Sequence, residues 1–214
     1  MIKGYRIPDA TLERLAIYLR ILEELEENGE NVVSSMRLAS ICKINPAQVR
    51  KDLSYFGEFG VRGYGYEVDR LINTIKRILG TDREWKLCIV GIGNLGTALI
   101  RHGNFIKRGY RFMAAFDSDP SKHGKDLPYG LKIQPVSEME STIKELRIEI
   151  GLITTPPSEA QKVADQLVHS GIRAIINFSP IQVRQKKECI VENVDFTVKL
   201  DNLAYHLSNI NDKR

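Results

Sequence analysis

The segment KLCIVGIGNLGTALI, from Lys86 to Ile100, constrains the fold of this chain more than any other stretch. Leu87, Cys88, Ile89 and Val90 form a continuous apolar run, which suits a parallel strand buried on both faces. Gly91 permits a tight reversal, Gly93 allows close approach of a pyrophosphate, and Gly96 lets the following helix lie close to the strand. Ile92, Asn94 and Leu95 complete the turn, and the first amides of that helix point toward the phosphates. A second strand, expected over Phe112–Phe116, ends at Asp117, about 20 residues beyond the glycines, where an acidic residue accepts hydrogen bonds from ribose hydroxyls. A carboxylate there repels a 2′-phosphate, and Ser118, Asp119 and Pro120 supply no arginine to bind one. NAD is therefore expected over NADP.

Composition bounds the alternatives. The chain has 214 residues, 43% of them apolar, enough for one large or two small domains. It carries no N-terminal signal-type segment and no run of 18 apolar residues, so a soluble cytoplasmic protein with no membrane partner is expected. Cys42, Cys88 and Cys189 are widely spaced and contain no CxxC pair, which argues against a disulfide framework and against a zinc site. The net charge of +4 is too small to establish a nucleic-acid partner, which has to be argued from local clustering.

Such clustering occurs near the N-terminus. Asp9 is expected to cap a long amphipathic helix carrying Leu12, Leu15, Ala16, Leu19 and Leu22 and ending at Asn28-Gly29. Glu23, Glu24, Glu26, Glu27 and Glu30 give its end an acidic face that nucleic acid avoids. Ser35 is expected to cap a short helix over Met36–Cys42. Asn45 followed by Pro46 starts a third, running to Phe56. Two short helices joined by a tight turn behind a longer one make a helix-turn-helix. On the third helix Val49, Leu53 and Phe56 face the core, leaving Ala47, Gln48, Arg50, Lys51, Ser54 and Tyr55 for a groove. Gln48 suits adenine, Arg50 or Lys51 suits guanine or phosphate, and Tyr55 suits a backbone oxygen. The stretch EFGVRGYGY, from Glu58 to Tyr66, reads as a hairpin wing whose tip residue, Arg62, can enter a minor groove. A further helix is expected over Asp69–Leu79, followed by a linker over Gly80–Trp85.

Beyond the glycine turn, strand and helix alternate: helix Leu95–Lys107, strand Leu131–Gln134, helix Ser137–Glu145 and strand Ile148–Ile153. A loop, Thr154 to Pro157, follows at the ligand-binding end of that strand and presents Thr155 and Pro156. Ser158 and Gln161 have capping-box spacing ahead of the next helix. A strand over Ala174–Asn177 and a loop through Phe178, Ser179 and Pro180 come next, then a last strand over Cys189–Phe196. The terminal helix, Thr197–Ile210, keeps Leu200, Leu203, Ala204 and Leu207 on one face with no resting place in a completed Rossmann unit, so a homodimer is expected.

The order of RKDLSYFGEFGVRGYGY (Arg50 to Tyr66), CIVGIGNLG (Cys88 to Gly96), NFSP (Asn177 to Pro180) and VENVDF (Val191 to Phe196) closely resembles the redox-sensing repressor family Rex across essentially the whole chain. The resemblance implies an N-terminal winged helix-turn-helix domain over residues 1–80 and a parallel-sheet Rossmann domain over 81–195 that binds NADH and NAD+. It also implies a domain-swapped dimerisation helix over 196–214. Such proteins hold palindromic operator DNA as homodimers, are released by NADH, and regulate genes of fermentation and respiration. By motif, Gly91 to Gly96 and Asp117 would hold the dinucleotide, and Arg50, Lys51 and Arg62 would hold the operator; the two loops at strand ends, with Thr155 and Pro156 in one and Asn177 and Ser179 at the other, are the candidates for the nicotinamide side. Phe196 resembles the aromatic inserted beside the partner's nicotinamide, Asp195 the switch carboxylate, and Arg20 the arginine that pairs with it in one state. Where some relatives carry a tyrosine that takes the carboxylate in the NADH state, this chain has His102, which can donate the same hydrogen bond. Two other readings use the same glycine turn: an NAD-dependent oxidoreductase, for which too little chain follows Asp195 to build a substrate domain, and a regulator that binds coenzyme A.

Overall fold

A computed structural model describes residues 7–57, 60, 64–184 and 187–211. The chain divides into two compact units, at Arg83 and Glu84. In the first, α1 (Asp9–Glu27) is followed by β1 (Val32–Val33), α2 (Ser35–Cys42), α3 (Pro46–Ser54), β2 (Tyr66–Glu67) and α4 (Val68–Leu79). Leu15, Tyr18, Leu19 and Leu22 of α1 pack with Leu38 of α2, Val49 and Leu53 of α3, and Leu71, Ile72 and Ile75 of α4 in one core. Their spacing of three and four residues gives each helix a single buried face. β1 and β2 pair antiparallel, Val32 with Glu67 and Val33 with Tyr66.

Several local expectations for this unit shift. Pro8, not Asp9, is the N-cap of α1, and Asp9 sits in the first turn, where its charge favours the helix dipole. Ser34, not Ser35, caps α2, its hydroxyl accepting from the Arg37 amide. Asn45 does cap α3, accepting from the Ala47 amide at 2.8 Å, with Pro46 at the first helical position. α3 ends at Ser54 rather than Phe56, and α4 starts at Val68 and stops on the left-handed Gly80. The tip of the expected wing, including Arg62, lies outside the described residues.

In the second unit a six-stranded parallel sheet is built from β3 (Trp85–Val90), β4 (Tyr110–Asp117), β5 (Ile133–Pro135), β6 (Ile150–Ile153), β7 (Ala174–Asn177) and β8 (Ile190–Asn193). Its order, β5-β4-β3-β6-β7-β8, reverses direction between β3 and β6, as in a Rossmann sheet. The continuous apolar run of β3 is explained by its two faces. Cys88 and Val90 point into a core with Met139, Ile143, Ala160, Val163 and Leu167, while Leu87 and Ile89 point into another with Ile92 and Ile100. The covering helices are α5 (Asn94–Arg101), a short α6 (Asn104–Lys107), α7 (Met139–Leu146) and α8 (Pro157–His169).

The single helix expected over Leu95–Lys107 is broken at His102, whose ψ of 101° is extended. No Ser158 capping box forms: α8 opens on Pro157 behind Pro156, and the Gln161 carboxamide instead accepts from the Arg184 amide at 2.9 Å. The strand expected over Cys189–Phe196 stops at Asn193, because Asp195 caps a new helix, accepting from the Thr197 amide at 2.8 Å and its hydroxyl at 2.7 Å. That helix, α9 (Phe196–Asn211), exposes its apolar face: Leu200, Leu203 and Leu207 are 62%, 59% and 64% accessible. Among the described residues no helix is long and apolar enough to cross a membrane.

Candidate dinucleotide site and nucleic-acid interface

Between the C-terminal ends of β3 and β6, at the point where strand order reverses, lies a cavity of about 780 Å³. Gly91 has φ +98° and a Cβ there would lie 2.9 Å from the backbone of Thr154 and Thr155, so only glycine fits the turn. Thr154 clamps the turn from β6, its hydroxyl donating to the Gly91 carbonyl at 2.6 Å. At Gly93 a Cβ would meet nothing within 4 Å, so the protein leaves this face of the turn open. α5 begins at Asn94 without a side-chain cap, leaving its first amides available to an anion.

Asp117 is the polar hub of this end of the sheet. One carboxylate oxygen accepts from the Ile92 amide at 2.7 Å and from Lys122 Nζ at 2.9 Å, and the other from the Asp119 amide at 2.9 Å. Burial pushes its carboxyl upward, but the bonds from Asp119, Lys122 and Ile92 outweigh burial and hold it below the ordinary aspartate range. Nothing in the sequence pattern signals Lys122. The 3-10 turn Pro120–Lys122 folds it back onto Asp117, and a cation therefore stands where only a carboxylate is expected.

Gly91, Gly93, Leu95, Asp117, Thr155, Pro156 and Ser179 line the cavity. The Thr155 and Ser179 hydroxyls are buried with no hydrogen-bond partner among the described residues, which fits a polar ligand at this place. Ile92 and Gly96 support the turn from beneath: Ile92 is buried in the core, and Gly96 packs under the Gly91 carbonyl. Asn94 is exposed on the first turn of α5. Asn177 does not line the cavity. It is wholly buried and shapes the loop, donating to the carbonyls of Ser179 and Ile181 and to Asn193 Oδ1, and accepting from the Ser179 amide. Phe196 is 62% exposed at the start of α9 and is not among the lining residues.

In the first unit α3 exposes Ala47, Arg50, Lys51 and Ser54, with Gln48 and Tyr55 half-buried. Arg50 reaches Ser35 Oγ of α2 at 3.2 Å, and Ser54 donates to the Lys51 carbonyl. Gln48 Nε2 is bound to Asp52 at 2.8 Å. Asp52 carries no signal in the sequence, because nothing local announces its partners, Arg14 and Tyr18, on another helix. The three expected switch residues each have a local neighbour: Arg20 lies 3.6 Å from Glu24, His102 Nδ1 accepts from the Asn104 amide at 3.4 Å, and Asp195 caps α9.

Comparison with known proteins bears on both units. Residues 6–54 match the family described as "Putative DNA-binding protein N-terminus", and residues 82–181 match the CoA binding domain family. Over 96% of this chain and 98% of the relative, the sequence is 62% identical to the redox-sensing transcriptional repressor Rex of Syntrophobacter fumaroxidans. The chain belongs to the Rex family. The Rex protein of Maridesulfovibrio salexigens is 47% identical over 97% of this chain and 99% of its own. Among solved structures, RSP in complex with β-NAD+ and operator DNA superposes with a TM-score of 0.91 at 36% identity, covering 97% of this chain and 95% of that one. RSP in complex with β-NADH gives 0.87 at 34% identity, covering 97% of both. The family consists of transcriptional repressors, not enzymes, which sets aside the oxidoreductase reading.

Proposed function

We propose that this protein is a cytoplasmic, NADH-responsive repressor that holds palindromic operator DNA as a homodimer and lets go when NADH binds. One observation carries the reading: a cavity with two unpartnered buried hydroxyls sits at the Rossmann switch point of a chain whose other unit displays Arg50 and Lys51 on a capped helix. The Rex-family structures of RSP with NADH, with NAD+ and with operator DNA support it.

The glycine turn and the free amides of α5 receive a pyrophosphate, Asp117 accepts from ribose hydroxyls, and Thr155 and Ser179 bond the nicotinamide end. NADH brings a neutral ring where NAD+ brings a planar cation, so an apolar wall favours the reduced form by desolvation. Phe196 supplies that wall, carried by a swapped α9 to the partner subunit. Asp195 exchanges Arg20 for His102 as the two DNA-binding units move out of register with successive half-sites. Ala47, Gln48, Arg50, Lys51, Ser54, Tyr55 and Arg62 form the operator contacts. Moving the equilibrium from 1:99 to 99:1 requires ~5.5 kcal/mol of differential binding, shared between two sites per dimer.

Mobility-shift titration of the full chain with a palindromic duplex, alone and with NADH, NAD+ or coenzyme A, tests the reading. Release by NADH alone is expected. Equal retention of the duplex in NADH and NAD+ would refute it. Because residues 82–181 match a coenzyme A family, displacement of NADH by coenzyme A would favour that ligand instead.

A further inference from the structure

Asp52 stands at an unusual place for an ionised group, on the buried stripe of α3 beside Val49 and Leu53, with no solvent exposure. It accepts five hydrogen bonds. Arg14 Nε and Tyr18 Oη reach Oδ2 at 2.6 and 2.8 Å, and Arg14 Nη2, Thr11 Oγ1 and Gln48 Nε2 reach Oδ1 at 2.7, 3.3 and 2.8 Å. Arg14 binds it through two nitrogens, the planar fork geometry that fixes orientation as well as charge. Thr11, Arg14 and Tyr18 all belong to α1, so the pair ties α3 to the scaffold helix while its charge is cancelled.

The bond to Gln48 has a chemical consequence. An ionised carboxylate only accepts, so the atom of the Gln48 carboxamide that faces it has to be the nitrogen, and the flipped amide would set two acceptors against each other. One N–H is thereby used. What Gln48 has left is one N–H and one carbonyl oxygen, side by side. In the major groove adenine presents an acceptor, N7, beside a donor, N6–H, and this pair meets it. Guanine presents two acceptors, which leave the carbonyl without a partner. Gln48 is half-buried and already held at one end, so it loses less rotamer freedom on binding than a free glutamine.

We infer that Asp52 is a positioning residue that sets the orientation of the Gln48 carboxamide and so makes Gln48 a reader of adenine. The inference rests on the reading of α3 as the helix that enters the major groove.

The test measures binding of the full chain to an operator duplex and to a set in which each base pair of the half-site is replaced in turn. The wild type shows an adenine preference of about tenfold at one base pair, and Gln48→Ala lowers it below about twofold without changing the other positions. The double variant Arg14→Met/Asp52→Leu, which fills the same space with apolar side chains, melts cooperatively at a lower temperature, because the buried Tyr18 and Thr11 hydroxyls lose their acceptor, and keeps NADH-triggered release but loses the same preference. Should that double variant not fold, Arg14→Gln/Asp52→Asn replaces it, since a neutral carboxamide can face Gln48 with either atom and relaxes the preference likewise. An unchanged base profile in Gln48→Ala, or in a folded variant lacking the Asp52 carboxylate, overturns the inference while NADH-dependent release still upholds the repressor reading. Failure of the wild type to bind any duplex overturns both.

Discussion

A Cβ at Gly96 would collide with the Gly91 carbonyl and lie 3.0 Å from Thr154 Oγ1, whereas a Cβ at Gly93 would meet nothing within 4 Å, and the Gly93 backbone, at φ −91°, accepts any residue. Gly96→Ala is therefore expected to destabilise the second unit by about 1–3 kcal/mol, as overpacking does. Gly93→Ala should leave the melting temperature within the range of a neutral surface change while weakening NADH binding at least about tenfold, because its methyl group would occupy only the open face of the turn, where the proposed site takes the pyrophosphate. Calorimetric melting and NADH titration of the two variants separate these effects. At Asp52, burial raises the carboxyl, but the bonds from Arg14, Tyr18 and Gln48 prevail and hold it below its ordinary value. A depressed folded-state value means stability that is present above the unfolded aspartate pKa of about 3.9 and is lost as pH falls through the folded one. Thermal melts followed by circular dichroism should show the first unit losing stability below about pH 4, and Arg14→Met/Asp52→Leu should remove much of that acid sensitivity.

Among the elements, α3 and α9 expose side chains suited to different partners. Arg50 and Lys51 stand exposed on α3, and replacing either by alanine should weaken operator binding by about 1–3 kcal/mol, the salt slope falling by about one for each phosphate no longer neutralised. NADH binding should not change; its disappearance in either variant would point to misfolding. α9 leaves Leu200, Leu203 and Leu207 more than half exposed along one face, which in water calls for a covering surface. Leu203→Glu/Leu207→Glu should convert a dimer to monomers in sedimentation equilibrium and, by separating the two half-site readers, abolish tight operator binding. Unchanged mass would show that another surface makes the dimer. These elements were legible because their periodicities are local. Their ends were less so: Asp195 stops β8 early by capping α9, and the backbone turns extended at His102 after the glycine turn, breaks made by single residues that no repeating pattern marks.

In the whole molecule, DNA and dinucleotide bind to different units, so any effect of one on the other is a coupling free energy and has to be reciprocal. If NADH lowers operator affinity by some factor, saturating operator lowers NADH affinity by the same factor, which paired fluorescence titrations with and without duplex measure directly. The amino-acid sequence by itself determined the succession of the six parallel strands along the chain, the glycine turn, the acid at Asp117, the Asn45 cap and the apolar face of α9, because each follows from backbone conformation or from the spacing of neighbouring residues. Only the tertiary structure decided that Lys122 neutralises Asp117, that Asn177 braces its loop instead of lining the cavity, and that Asp52 joins Tyr18 and Arg14 from 34 and 38 positions away. Lys122 comes back through a tight 3-10 turn that carries no repeating pattern, while the other two arrangements depend on which side chains meet when distant segments pack, and a buried charge can settle only where packing brings its counter-charge and donors within reach.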